Sequence, residues 1–180
     1  MARAMRGLQV TPGGSVESNN GLPRRAEAVR STNFVFPNDT NHHGTMFGGR
    51  VLQLMDQTGA IAAARFAHTT VVTAAMEAVS FQQPIRAGEI IETVARVVYT
   101  GRTSMIVRVD VFADHQLSGE RKHATTGYLT MVALDAVGKP MPVPRLLIET
   151  EEERADYEAA ERVRDAALRR SRQQTAGGRQ

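Results

Sequence analysis

Between Val72 and Asp135 the chain repeats one pattern four times: apolar and polar residues alternate along Val72 to Gln83, Glu89 to Thr100, Ser104 to Asp114 and His123 to Asp135. A period of two is that of a strand with one buried face. Ser104 to Asp114 shows it best, with Met105, Val107, Val109, Val111 and Ala113 on one face and Arg108, Asp110 and Asp114 on the other beside Ile106 and Phe112. Turn residues around Gly88, Gly101 and Gly119 separate the segments, and connections this short force antiparallel pairing. Ahead of them lie a short strand, STNFVFP, a polar loop, and an Ala-, Leu- and Met-rich helix expected from about Thr45 to Ala67. One long apolar helix and one sheet have to cover each other, so the expected class is α+β, with the helix packed on an antiparallel sheet.

The helix carries one awkward residue. Turning about 100° per residue puts Arg50, Gln53, Gln57, Arg65 and His68 within one arc, the natural solvent side, and Asp56 outside it. Asp56 instead joins a stripe of small residues, Gly59, Ala60, Ala63 and Ala67, which lets a backbone or another helix approach closely. An unpartnered carboxylate there costs several kcal/mol, roughly, unless something polar is brought to it. The bland reading is a local cap or salt bridge. The functional one gains weight from the stretch before it, where Gly44 to Gly49 lead into the helix start. Amides at such a start have no intrahelical acceptor, and a carbonyl oxygen gaining negative charge is stabilised beside the Gly48 amide. Asp56 lies eight residues later, about 12 Å along the helix, so both groups serve one site only if the substrate lies along the helix or a second subunit supplies one of them.

Composition narrows the chemistry. The chain has no cysteine, which removes disulfides, thiolate metal sites and cysteine nucleophiles, and fits a reducing, cytoplasmic setting. The net charge of +3 comes from five arginines in residues 1–30, while residues 31–145 carry ten basic against nine acidic side chains. That leaves the core without a basic face for nucleic acid. No stretch is apolar enough for a membrane span. Adjacent His42 and His43, even with Asp39 and His68, lack the spacing of a helical metal pair, so no metal is expected. Met46, Met55, Met76 and Met105 read as core or tunnel lining, and Glu77 and Glu89 as strand surface. Residues 1–30 mix Gly, Pro, Ser, Asn and Arg without apolar period and read as a disordered tail, with only a faint likeness to a transit peptide. Residues 31–145 form the domain. Residues 146–180 form a charged helix and tail, acidic at its start and basic at its end, whose simplest reading is a solvated appendage and whose alternative is an oligomer or partner contact.

The run PNDTNHHGTMFGGRVLQLMDQTGA resembles the signature of hotdog-fold acyl-coenzyme A thioesterases of the YciA and brain acyl-CoA hydrolase type. The likeness continues through VVTAAMEAVSFQQPI, the AGEII turn and YTGRTSM, covering about residues 30 to 145. It implies a hotdog fold, in which a curved sheet wraps a central helix, and an acyl-CoA thioester hydrolase of fatty-acid metabolism that needs no cofactor, coenzyme A being part of the substrate. It also implies roles. Asp56 is the general base, or less plausibly a nucleophile, Asn41 orients water or thioester, the Gly48 amide is the oxyanion donor, and Gly49 keeps the approach clear. Thr100, Gly101, Arg102, Thr103 and Ser104 would meet the nucleotide phosphates; on spacing alone the same TGRTS is a plain hairpin turn. The family's sites form across a dimer interface, so Asn41 of one subunit would face Asp56 of another within a dimer or a trimer of dimers. Two rivals remain: a hotdog dehydratase using His42 or His43, and a non-catalytic acyl-CoA sensor.

Overall fold

The computed structural model describes residues 22–177; the expectation of disorder for residues 1–21 lies outside them. The elements follow the expected order: β1 (Val29–Phe34), a 3-10 turn (Pro37–Asp39), α1 (Gly48–Ala67), β2 (Thr70–Glu77), β3 (Ile90–Thr100), β4 (Ser104–Asp114), β5 (Arg121–Leu134) and α2 (Glu151–Gly177). All five strands form one antiparallel sheet in the order β1-β3-β4-β5-β2. Helix α1 touches every strand, which a flat sheet about 20 Å wide could not allow beneath one helix. The sheet therefore curls around α1, helped by bulges at Ala74, Val98 and Ala124, where one strand carries an unpaired residue. This is the hotdog arrangement.

The inner faces of the strands build the core. Met105, Val107, Val109, Val111 and Ala113 are all fully buried, with Ile91 and Ala95 on β3 and Leu129 and Met131 on β5, against Val51, Leu54, Met55, Ala62 and Phe66 of α1. Each large side chain so buried contributes about 1.5–3 kcal/mol. One polar contact crosses this interior: the hydroxyls of Thr58 on α1 and Thr93 on β3 lie 2.7 Å apart, and Thr58 also donates to the Leu54 carbonyl. Thr58→Val, which leaves the Thr93 hydroxyl only its long 3.5 Å contact with the Ser31 carbonyl, should cost about 1–3 kcal/mol in urea unfolding, whereas the double change with Thr93→Val should cost less than the two single changes added together. A fully additive pair would show that the contact does not couple the residues.

Several boundaries move, each for a visible reason. Helix α1 begins at Gly48, not Thr45, because residues 41–46 are held in a loop of their own. The strand expected to run from Val72 to Gln83 starts at Thr70 and stops at Glu77, where Ala78 takes a left-handed φ of 54° that no ladder accommodates. Beyond it Gln82 still donates to the Ala124 carbonyl that the β5 bulge leaves open. At the N-terminal side β1 starts at Val29, and Arg24 pairs with Leu146, so residues 24–30 run alongside the domain.

Helix α2 is the largest departure. The solvated appendage expected of its charges is instead docked on the outer face of the sheet. Ala160 is fully buried among Val98, Tyr99 and Ile106, and the Tyr157 ring lies 5.0 Å from that of Tyr99. Asp156 pairs with Arg108 of β4, Arg164 with the Tyr99 hydroxyl, and Arg170 with Glu77 at the end of β2. Burial alone would pull the Arg108 pKa down, but the carboxylates of Asp110 and Asp156 outweigh it and raise it further. Burial pushes the hydroxyl pKa of Tyr128, beside the same cluster, above its ordinary value. Periodicity failed here because α2 buries one alanine and one tyrosine face through ion pairs rather than through an apolar stripe. Neither helix is long and apolar enough to cross a membrane, among the described residues.

Candidate active site

The polar loop before α1 is organised by Asn41. Its side-chain oxygen accepts from the His43 amide at 2.9 Å, its Nδ2 donates to the Thr45 hydroxyl at 3.0 Å, and its backbone pairs with Thr45 and Gly44. Gly44 supplies the positive φ of 71° that the turn needs. Asp39 then ties the loop to the helix, its carboxylate 3.0 Å from Arg50 Nε and its carbonyl accepting from the Phe47 amide. Phe47 is the helix cap and offers no side-chain acceptor. Among the described residues the amides of Gly48 and Gly49 consequently have no hydrogen-bond acceptor, and they point off the positive end of α1.

Gly48 borders a cleft of about 350 Å³ whose lining includes Thr45, Met46, Val51, Phe81 and Ile85. The Phe81 ring stands 3.3 Å from where a Gly48 side chain would start, so only glycine leaves the amide uncrowded. Phe81 itself is 52% exposed, an apolar wall facing outward.

Asp56 lies two turns along α1 and is half-buried. The partner it seemed to need comes from its own chain: the Thr73 hydroxyl donates to Asp56 Oδ1 at 2.5 Å. Thr73 is on β2 opposite Met131, just before the Ala74 bulge. The bulge matters because Thr73 faces the helix while the residues after it are offset by one. The small-residue stripe is likewise used within the chain, since Gly59 and Ala63 are buried and a Gly59 side chain would meet Leu129 at 3.1 Å. Sequence reasoning missed Thr73. Its hydroxyl sits in an ordinary strand pattern, and only the pairing register reveals what it faces.

The TGRTS turn is a tight β3–β4 connection. The Gly101 amide donates to the Ser104 carbonyl at 2.8 Å, the Thr100 hydroxyl accepts from the Leu146 amide at 3.1 Å, and the carbonyls of Arg102 and Thr103 accept from Val143 and Ala133. The Arg102 side chain is exposed. This turn lies at the far end of β3 from the Asn41 loop, which meets the chain near Arg86 and Ala87. Ten residues of strand, roughly 33 Å, separate the two ends. Thus one subunit groups Asn41, Gly48 and Gly49 at one end, Thr100 to Ser104 at the other, and Asp56 with Thr73 between them beside edge strand β2. No hydrogen bond among the described residues joins Asn41 or Gly48 to Asp56. His42 and His43 are exposed with ring centroids 3.8 Å apart, and His68 caps the opposite end of α1.

The sequence model of the thioesterase superfamily matches residues 43–120. Over 125 residues, 69% of this chain and 73% of the relative, the protein is 46% identical to the uncharacterized acyl-CoA thioester hydrolase YkhA of Bacillus subtilis. It also matches longer mammalian relatives, spanning 33% of the mouse cytosolic acyl coenzyme A thioester hydrolase. Among solved structures, an apo-hexameric acyl-CoA thioesterase superposes with a TM-score of 0.79 at 41% identity, over 83% of this chain and 96% of that one. An acyl-CoA hydrolase of Staphylococcus aureus, in complex with butyryl coenzyme A and coenzyme A, superposes with a TM-score of 0.75 at 39% identity, over 83% and 93%. Structures of that enzyme also exist with alanine replacing an aspartate, an asparagine and a threonine. By descent and by fold, this chain belongs to the acyl-CoA thioester hydrolases of the thioesterase superfamily.

Proposed function

We propose that the protein hydrolyses acyl-CoA thioesters to a carboxylic acid and coenzyme A, with Asp56 as general base. The observation that carries this is the Asp56–Thr73 pair together with Asn41. In the Staphylococcus aureus enzyme the substituted asparagine, aspartate and threonine follow one another at the separations of Asn41, Asp56 and Thr73 here. A hydrogen bond from Thr73 to Oδ1 fixes the carboxylate plane and leaves Oδ2 to take a proton from water. The water oxygen bonds to the acyl carbon, the carbonyl oxygen becomes an oxyanion against the Gly48 amide, and the C–S bond breaks to release the coenzyme A thiolate, which takes up a proton. Asn41 keeps one N–H beyond the one given to Thr45, enough to orient the water or the thioester. Gly49 leaves the approach to the amide open, and Thr100 to Ser104, with the Arg102 guanidinium, receive the nucleotide phosphates.

The distances within one subunit favour a site shared between copies. Strand β2 is a sheet edge, and Val72, Ala74 and nearby Ile61 of α1 are exposed. We place the dimer along that edge, so that Asn41 of one copy approaches Asp56 of the other; three such dimers would make a hexamer, the state named for one structural relative. The test is release of free thiol from saturated and enoyl-CoA substrates, with hydration of the enoyl group followed in parallel. Thiol release from both classes is expected. Hydration without thiol release would favour a dehydratase, and binding without either reaction a sensor.

A further inference from the structure

Helix α2 has an end that its own sheet does not use. Its contacts cross the outer face: Asp156 meets Arg108 on β4, Ala160 sits over Val98, Tyr99 and Ile106, Arg164 reaches back to Tyr99 on β3, and the long Arg170 side chain reaches Glu77 on β2. Beyond Ala160 the helix therefore travels toward the edge strand, and it arrives there at Arg170. Seven more helical residues follow, to Gly177. At 1.5 Å per residue they extend about 10 Å, the width of two further strands.

Two more observations say what lies under that overhang. First, the contacts of α2 cover the outer face on a diagonal from Tyr99 and Ile106 to Tyr128, Arg108 and Glu77. The row at the opposite end of β2 is left open: Val72 is 44% exposed and Val132, its neighbour on β5, is half-buried, with Thr70 and Leu134 next along the same two strands. Second, pairing of an eight-residue strand with its own copy over its full length puts the two-fold axis beside the strand's midpoint, between Thr73 and Ala74. That operation sets Glu77 opposite the partner's Thr70. The chain end that leaves one sheet at Glu77 is thereby delivered onto the open row of the other.

We infer that the last two turns of α2 are a clasp on a second copy of this chain, lying over the outer face of its β2 and β5 near Thr70, Val72 and Leu134. The inference rests on the β2-edge dimer proposed above, and it adds a second, reciprocal contact on the face away from the site. Exposed Leu168, 49% accessible in one chain, lies in the last turn before the edge and gains cover from it.

Cysteine cross-linking separates this inference from its premise, because the natural chain contains no cysteine. Ala74→Cys alone reports β2 pairing, since two copies of an exposed residue beside the axis come within disulfide reach. Thr70→Cys with Gln173→Cys in one chain, treated with a short bis-maleimide, reports the clasp. Within a subunit Thr70 and Glu77 are separated by seven residues of strand, roughly 23 Å, so a short linker cannot join the two sites in cis. The expected result is conversion of most chains to covalent dimer for both variants. A dimer from Ala74→Cys with only monomer from the double variant would overturn the clasp and leave the β2 dimer standing. Monomer from Ala74→Cys would overturn the β2 dimer, and the clasp with it.

Discussion

Asp56→Ala is expected to lower kcat for thioester hydrolysis by about three orders of magnitude, within the range set by loss of a general base, and to leave the fold intact. The carboxylate is half-buried at the helix surface and makes its side-chain hydrogen bond to Thr73. Removing it opens no large cavity in the core, because the carboxylate is half-buried at the flank of α1 and the large buried side chains belong to other positions, such as Met55, Leu54 and Phe66. Thermal unfolding should accordingly shift by a few degrees at most, which rules out the trivial explanation for lost turnover. Thr73→Ala should fall between the variant and the wild type, about tenfold down, because it frees the carboxylate to rotate without removing it. Full turnover by Asp56→Ala would end the mechanism.

Mixing two inactive variants is expected to restore activity. On the proposed shared site, Asn41→Ala and Asp56→Ala would each disable every site in their own homodimers, yet a heterodimer would hold one site built from an intact Asn41 and an intact Asp56. Random exchange makes half of the dimers heterodimers with one working site of two, so about a quarter of wild-type activity returns. The measurement is thiol release before and after subunit exchange, with exchange itself followed by mass-tagged chains. Complete exchange without recovery would place both residues in one subunit's site, despite the two helical turns between Gly48 and Asp56.

Much of this architecture is legible from alternation alone. Residues 104–114 declare both faces of β4, and the structure buries the predicted row completely. What alternation cannot convey is how a strand ends or what faces it across the sheet. VVTAAMEAVSFQQ keeps a strand-like composition past Glu77, but Ala78 turns left-handed and the rest follows β5 as irregular chain. A bulge adds one residue without changing the composition, so the register that aims Thr73 at Asp56 leaves no trace in the sequence. Helix α2 failed in the opposite sense. Its charges were read as a solvent face, and several of them are ion pairs to residues on β2 and β4, distant in sequence. Asp56 stands out in the sequence as a carboxylate off the polar arc, and a neighbouring strand of the same chain answers part of its need through Thr73.

Strand β2 carries one more consequence, which concerns the newborn chain. TVVTAAME contains no lysine, arginine or proline, and only its last residue is charged. Edge strands left so unguarded join other strands readily, including the wrong ones. If β2 is the dimer edge proposed above, a freshly synthesised subunit is expected to have a limited lifetime alone, with the concentration of its sisters deciding whether it matures or precipitates. Overproduction at low temperature, slow dilution from denaturant and co-expression should all change yield far more than they change the stability of the finished assembly.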